Sequence, residues 1–361
     1  MSYLKSVEEL SQKIKSELDL NDCKKILALY AFNATGKTRL TSEIANENEN
    51  SFQSLYYSVF LEDIFSWDNK KLAFKFDINS PIINFINEQG LEGQIAENFK
   101  NIILSKIEPS FNFKEGEVFF SLASGDDRSL SSGIKISRGE ESIFIWSIFY
   151  TVLEAVIELL QEKPEDRATQ EFNNLEYIII DDPVSSLDDG KIISIAIKLA
   201  ELIDSYKGTG LRFLITTHHA LFYNVIINSF KRKSRNKKCK FFAYTFHKTD
   251  QGFELLKQGG SPFSYHLQLK ELIQKAVNNN SVKKYHFNLF RNLLEKTASF
   301  LGYNQWSECI SDDNNREIFT RLLNSYSHSR LSDLEGGDIS NEDKVLFQST
   351  FDSFIRNFKW K

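Results

Sequence analysis

The chain has 361 residues, 41% of them apolar, and a net charge of −5. That length allows one large domain or two smaller ones, with enough apolar residues for a packed core. The mildly acidic balance excludes a whole-chain basic field for nucleic acid, so any such site must be local.

The N-terminus, MSYLKSVEELSQKIKSELDL, is charged throughout and lacks an apolar core, which predicts a short amphipathic helix and no signal peptide. Cys23, Cys239 and Cys309 show no metal-ligand spacing and are odd in number, so they read as reduced thiols. No stretch approaches the roughly 18 apolar residues of a membrane span, and the expectation is a soluble, cytoplasmic protein.

From Lys24 onward, strands alternate with helices. KKILALYAF is a short apolar run ending in a turn, TRLTSEIAN a helix and SFQSLYYSVF a second strand. Residues 68–125 are mixed, with a helical GLEGQIAENFKNIILSKI and a strand-like EGEVFFSLAS. A long apolar helix follows within SGIKISRGEESIFIWSIFYTVLEAVIELLQEK. NLEYIIIDD and LRFLITTHH are near-continuous apolar strands, as in a parallel sheet covered on both faces. The helix GKIISIAIKLAELIDSY separates them, completing a βα alternation. KRKSRNKKCK then holds seven basic residues in ten, and strand-like FFAYTFHK and FELLKQ follow. A GGSP turn at 259–262 marks the expected boundary between a domain over 1–258 and a helical one over 259–361.

Four motifs carry chemistry. AFNATGKT, from Ala31 to Thr38, closes a strand and opens a helix, and it fits the P-loop pattern except that Ala31 replaces the first Gly. Lys37 would reach the β- and γ-phosphates and Thr38 would hold Mg²⁺. Backbone N–H groups at the helix start complete the anion site. Asn33 and Gly36 match the form of this loop typical of ABC proteins, whereas Ala34 stands where that form has Gly. YIIIDD ends its strand at Asp181, placed for Mg²⁺, and at Asp182, placed for water activation. Most ABC proteins have Glu at the second position, and the shorter Asp predicts slow hydrolysis.

SRGEES, from Ser137 to Ser142, resembles the ABC signature, with Ser137 and Gly139 facing the γ-phosphate of a partner subunit. The same residues also make an ordinary helix N-cap. SSLDD, from Ser185 to Asp189, reads as the D-loop, with Asp188 assigned to nucleotide contact. ITTHH ends the next strand, and His218 is the expected γ-phosphate sensor. A signature and a P-loop on different subunits imply a head-to-tail dimer. The cofactor is ATP or GTP with Mg²⁺.

Taken together, YAFNATGKTRL, LYYSVFLEDIFSWDN, KISRGEESIFIW, YIIIDDPVSSLDD and ITTHHALFYNV resemble the PrrC-type anticodon nucleases. These are ABC-ATPase-linked ribonucleases held latent beside type I restriction-modification complexes. The resemblance continues through SPFSYHL and KKYHFNLFRNLLEKTASFLGY and spans nearly the whole chain. It implies an α/β ABC-type P-loop NTPase head followed by a mostly α-helical nuclease domain. By the same resemblance the nuclease residues fall on Arg291, Glu295 and His328. Arg291 and Glu295 share one helix face, a spacing that also suits a surface ion pair worth a few tenths of a kcal/mol. The implied activity is metal-independent cleavage of tRNA, tRNA-Lys in particular, in the anticodon loop as antiphage defence. The products would be a 2′,3′-cyclic phosphate and a 5′-OH.

The basic run from Lys231 to Lys240 suits tRNA phosphates or a solvated loop. Its neighbours Phe241, Phe242 and Tyr244 suit base stacking or a strand core. Lys283, Lys284 and Arg330 lie closer in sequence to the nuclease residues. Two other classes fit the ATPase motifs: an SMC- or RecF-like DNA-repair ATPase, and a nucleotide-sensing module that recruits a separate effector. Only 100 residues separate Lys37 from Ser137, too few for a long coiled-coil arm.

Overall fold

The computed structural model describes residues 3–19, 23–45, 53–57, 64–104, 106–122, 133–184, 187–233, 239–249, 252–258, 265–310, 313–328 and 339–359. The chain divides into two compact units, Met1–Phe263 and Ser264–Lys361.

The first unit is built on a six-stranded sheet. Its strands are β1 (Lys24–Ala31), β2 (Ser54–Tyr57), β7 (Tyr177–Asp181), β8 (Arg212–Thr217), β9 (Cys239–Thr249) and β10 (Gly252–Lys257). They lie in the order β10-β9-β1-β8-β7-β2. All neighbours are parallel except β10, which runs antiparallel to β9. Every residue of β1 is buried, as a central strand covered on both faces requires. Lys24 is no exception, because its ammonium donates to the carbonyls of Ile203 (2.8 Å) and Tyr206 (2.9 Å). Those oxygens lie at the C-terminal end of a helix, where a cation is favoured.

Phe241 stacks on Phe230 at 5.5 Å and Tyr244 is buried. Of the two uses considered for the aromatic residues of β9, these two thus serve the strand core. Residues 234–238 of the basic run lie outside the described residues.

Four helices flank this sheet in the chain: α1 (Val7–Leu18), α2 (Lys37–Ala45), α6 (Asp189–Ser205) and α7 (Ala220–Lys233). The mixed stretch resolves into α3 (Pro81–Gln89), α4 (Glu92–Ile103) and a second sheet. That sheet is antiparallel, in the order β3-β4-β6-β5, with β3 Phe65–Asp68, β4 Ala73–Phe76, β5 Ile107–Asn112 and β6 Glu117–Leu122. Its four-residue strands are too short for alternation to stand out in a sequence window.

The long helix α5 (Arg138–Gln161) packs its apolar length inside this unit. Phe144 makes ring contacts with Phe74, Phe99, Phe111 and Phe120, with centroids 5.0–6.0 Å apart. Much of the unusual phenylalanine content is therefore core. The helix also corrects one expectation, because by length and composition it is apolar enough to cross a membrane. Its physical setting differs, since 72% of the relevant window is buried inside the protein.

The second unit is helical, with α8 (Tyr265–Asn278), α9 (Lys284–Leu301), α10 (Asp313–His328) and α11 (Asn341–Asn357). A short 3₁₀ turn at Trp306–Cys309 separates α9 from α10. The core is again aromatic: Phe290 of α9 meets Phe319 of α10 and Phe347, Phe351 and Phe354 of α11 at 5.3–5.7 Å. Five such rings bring three helices together through apolar burial and edge-to-face contacts.

Candidate functional site

Three strands bring the first group of residues to one end of the parallel sheet. β8 lies between β1 and β7, so the carboxyl ends of β1, β7 and β8 converge, where open α/β sheets hold ligands. The P-loop leaves β1 at Ala31 and enters α2 at Lys37. Thr35 tightens the loop by donating its hydroxyl to the Phe32 carbonyl at 2.7 Å.

Gly36 has φ +97° and Ala34 has φ +61°. Both are left-handed values, and a Cβ there costs roughly 1–2 kcal/mol. The usual glycine at position 34 therefore has a conformational reason, and this chain keeps the conformation without it. Asn33 and Thr38 are exposed at the loop and the first helical turn.

Lys37 is only 7% exposed. Its ammonium donates to the carbonyls of Ala31 and Phe32, both at 3.1 Å, and stands 3.8 Å from Asp182 Oδ2. Burial lowers its pKa, against the opposing pull of Asp182 and Asp181. Asp181 ends β7 with its carboxylate held on two sides, accepting from Thr216 on β8 and from Thr41 on α2 at 3.2 Å. Thr41 in turn meets the Tyr56 hydroxyl at 2.9 Å, tying α2 to β2.

Burial raises the Asp181 pKa, and hydrogen bonds from Thr216 and Thr38 oppose it. For Asp182 the balance is reversed. Burial pushes its carboxyl up, but the His218 hydrogen bond and the charges of His218 and Lys37 bring it below the usual value. His218 sits just past β8, with Nδ1 on Asp182 Oδ2 and its backbone N–H on Oδ1 at 3.3 Å.

Asp181 and Thr38 are hard oxygen donors, and a cation at Asp181 would offset the burial that raises its pKa. These residues fit Mg²⁺ beside a bound phosphate chain, where the ion would neutralise phosphate charge. Among the described residues there is no cluster of three or more His, Cys, Asp and Glu. A P-loop metal needs none, since Mg²⁺ takes one or two protein oxygens together with phosphates and water.

Two motifs lie at helix starts. Ser137 caps α5 with both halves of a capping box: its hydroxyl accepts from Glu140 N at 3.3 Å, and its own N–H donates to Glu140 Oε2 at 2.7 Å. Gly139 is in the first turn that follows. Asp188 caps α6 by accepting from Lys191 N at 3.0 Å, and it also pairs with the Lys191 ammonium at 2.9 Å. These contacts with Lys191 lower its pKa. Ser185 and Ser186 lie outside the described residues.

The second unit holds the other group. On α9, Arg291 Nε donates to Glu295 Oε1 at 2.9 Å, the pairing expected of residues four apart. Two further contacts were not foreseen. Arg291 Nη1 donates to Asn324 Oδ1 on α10 at 3.1 Å, and the guanidinium lies over the Trp306 ring at 5.6 Å. His328 closes α10 one turn beyond Asn324, while Arg330 and residues 261–264 lie outside the described residues. The one available sequence signal was the i,i+4 relation of Asn324 to His328. Nothing in the spacing ties either residue, or Trp306, to Arg291.

A loop after a central parallel strand, an acid pair ending the next strand but one and a histidine ending the strand between define an ABC-type P-loop NTPase head. A family model described as an AAA domain matches residues 128–349. The anticodon nuclease of Escherichia coli is 39% identical over 362 residues, covering 92% of this chain and 89% of that protein. This chain belongs to the anticodon nuclease family, enzymes that join an endoribonuclease to an ATPase domain.

Among solved structures, the SMC head domain from Thermotoga maritima is similar at 10% identity and TM-score 0.33, covering 65% of this chain and 91% of that one. An SMC head bound to the winged-helix domain of ScpA is similar at 12% identity and TM-score 0.32, covering 61% of each chain.

Proposed function

We propose that this protein is a nucleotide-gated endoribonuclease that cuts tRNA, tRNA-Lys in particular, within the anticodon loop. The observation that carries the proposal is the 39% identity to an anticodon nuclease, which extends across both units. The Arg291–Glu295 pair in the helical unit supports it.

Arg291, Glu295 and His328 supply the groups for a cut that needs no metal. A base removes the ribose 2′-OH proton, the 2′-oxygen bonds to phosphorus, and the bond from phosphorus to the 5′-oxygen breaks. An acid returns a proton to that oxygen, leaving a 2′,3′-cyclic phosphate and a 5′-OH. Glu295 and His328 share the two proton-transfer roles. The Arg291 guanidinium holds the phosphate and its developing charge.

The ATPase unit acts as a switch. Lys37, Asn33 and Gly36 of one subunit and Ser137, Gly139 and Asp188 of a second would hold ATP or GTP in a head-to-tail dimer, and Thr38 and Asp181 would hold its Mg²⁺. Asp182 and His218 time its hydrolysis. Differential affinity for the dimeric arrangement shifts the population toward the cutting form. In the cytoplasm the enzyme serves antiphage defence and is held silent by a type I restriction-modification complex.

The test is incubation of purified protein with total tRNA and nucleotide. Discrete anticodon-loop fragments with cyclic-phosphate ends are expected. No cleavage, with ATPase stimulated by DNA, would favour a repair ATPase instead. No cleavage and no DNA response would favour a sensor that recruits a separate effector.

A further inference from the structure

An arginine that grips a scissile phosphate must be aimed, and an exposed i,i+4 pair does not aim it. Such a pair leaves both side chains mobile and contributes a few tenths of a kcal/mol. Arg291 is held at more points than that. Glu295 takes Nε within α9, Asn324 takes Nη1 from α10, and Trp306 covers a face of the guanidinium. The three contacts come from three elements, so together they fix the position, the in-plane rotation and the tilt of the group. Arg291 is 24% exposed, so the cradle is partly sheltered and its hydrogen bonds are less screened than surface ones.

Asn324 has a second consequence through the helix that carries it. His328 is four residues on, one turn or about 5.4 Å along α10. The bond from Arg291 to Asn324 thus joins α9 to α10 one turn from the end of α10 that bears His328. The amide is suited to this task because its oxygen accepts from a guanidinium.

We infer that Asn324, assisted by Trp306, is a positioning residue for the RNA-cutting step, orienting Arg291 and fixing the α10 turn that ends in His328. This rests on the nuclease function proposed above. Neither residue touches the reacting atoms in this scheme; both act through Arg291.

The test uses the full chain and an anticodon stem-loop RNA as substrate. Asn324→Leu keeps the approximate shape and removes the acceptor, whereas Asn324→Asp keeps an acceptor oxygen. Asn324→Leu should lower kcat roughly 10- to 100-fold, the scale of a small misplacement of a catalytic group, with KM nearly unchanged. Asn324→Asp should recover most of that loss, and the thermal midpoints of both should stay close to wild type. In parallel, the side-chain Nη–H resonances of Arg291, identified by their disappearance in Arg291→Lys, should lose their protection from solvent exchange in Asn324→Leu and regain it in Asn324→Asp.

Wild-type kcat and an unchanged Arg291 signal in Asn324→Leu would overturn the positioning role while leaving the nuclease function intact. A loss confined to KM, or equal losses in the Leu and Asp variants, would also overturn it. A wild type that cuts no RNA would sink the nuclease function and with it the positioning role, and an Arg291 signal still dependent on Asn324 would then show only a structural tie between α9 and α10.

Discussion

Asp182 and His218 meet at the ends of two neighbouring parallel strands, with the carboxylate on the imidazole Nδ1. Asp182 sits there at φ +54°. Asp and Asn tolerate that left-handed conformation far better than longer side chains do. The sequence pattern alone makes Asp182 a short stand-in for glutamate, and the backbone supplies a reason for the short side chain.

Asp182→Asn therefore keeps the backbone conformation and much of the contact with His218 while removing the charge. Nucleotide turnover should fall roughly 100-fold, within the range for loss of a general base. Nucleotide affinity should stay within a few-fold, as measured by equilibrium binding beside phosphate release. Unchanged turnover would exclude Asp182 as the water-activating group. Asp182→Glu should cost stability of about 1 kcal/mol from the left-handed strain while raising turnover per folded molecule through its longer reach.

Ala34 gives the converse case, a residue with a Cβ at φ +61° in the phosphate loop. Ala34→Gly relieves the strain and gives back part of the gain through a more flexible unfolded chain. The net expectation is a stabilisation approaching 1 kcal/mol, or a rise of about 1–2 °C in the melting temperature of a unit this long. Nucleotide binding should be at least as tight as in the wild type. Calorimetry with and without nucleotide checks both, and a lower melting temperature would show that the alanine is not strained.

Ser137 combines two functions that a pair of variants separates. Ser137→Ala removes the cap on α5 and should destabilise by about 0.5–2 kcal/mol. Ser137→Asp retains an excellent cap but sets a negative charge where the proposed γ-phosphate would approach. It should match wild type in thermal stability while losing nucleotide-dependent self-association in sedimentation. Self-association equal to wild type would limit Ser137 to the cap.

What could be seen in the sequence follows from the range of each interaction. The P-loop, the acid pair, the helix start at Ser137 and the Arg291–Glu295 spacing are all local, set by a strand end, a cap or one helical turn. The α/β head and the helical second unit were visible for the same reason, since a buried strand or an amphipathic helix writes its period into adjacent residues. The hydrogen bonds of Asp181 to Thr216 and Thr41 span 35 and 140 residues. The bond of Arg291 to Asn324 spans 33. Such pairs depend on how elements pack, and no spacing rule announces them. Of the antiparallel sheet only β6 is legible, as EGEVFFSLAS, because β3 and β4 are four residues long, and α5 reads as no more than an apolar helix until its neighbours cover it.

The nuclease residues yield the sharpest contrast between chemistry and stability. Arg291→Lys preserves charge but loses the planar fork that meets Glu295 and Asn324 together. Glu295→Gln keeps an acceptor for Arg291 while removing a proton-transfer group, and His328→Ala removes the other. Each variant should fold with a melting temperature near wild type, because Glu295 is 43% exposed, His328 ends its helix and lysine keeps the charge of Arg291, so each loss is about 1 kcal/mol or less. Each should cut an anticodon stem-loop at least about 100-fold more slowly than wild type, the scale of losing a general acid or base. Gel analysis of end-labelled RNA under single-turnover conditions measures this directly. Cleavage at the wild-type rate by His328→Ala would remove His328 from the proposed site and leave a second proton-transfer group to be found near Arg291.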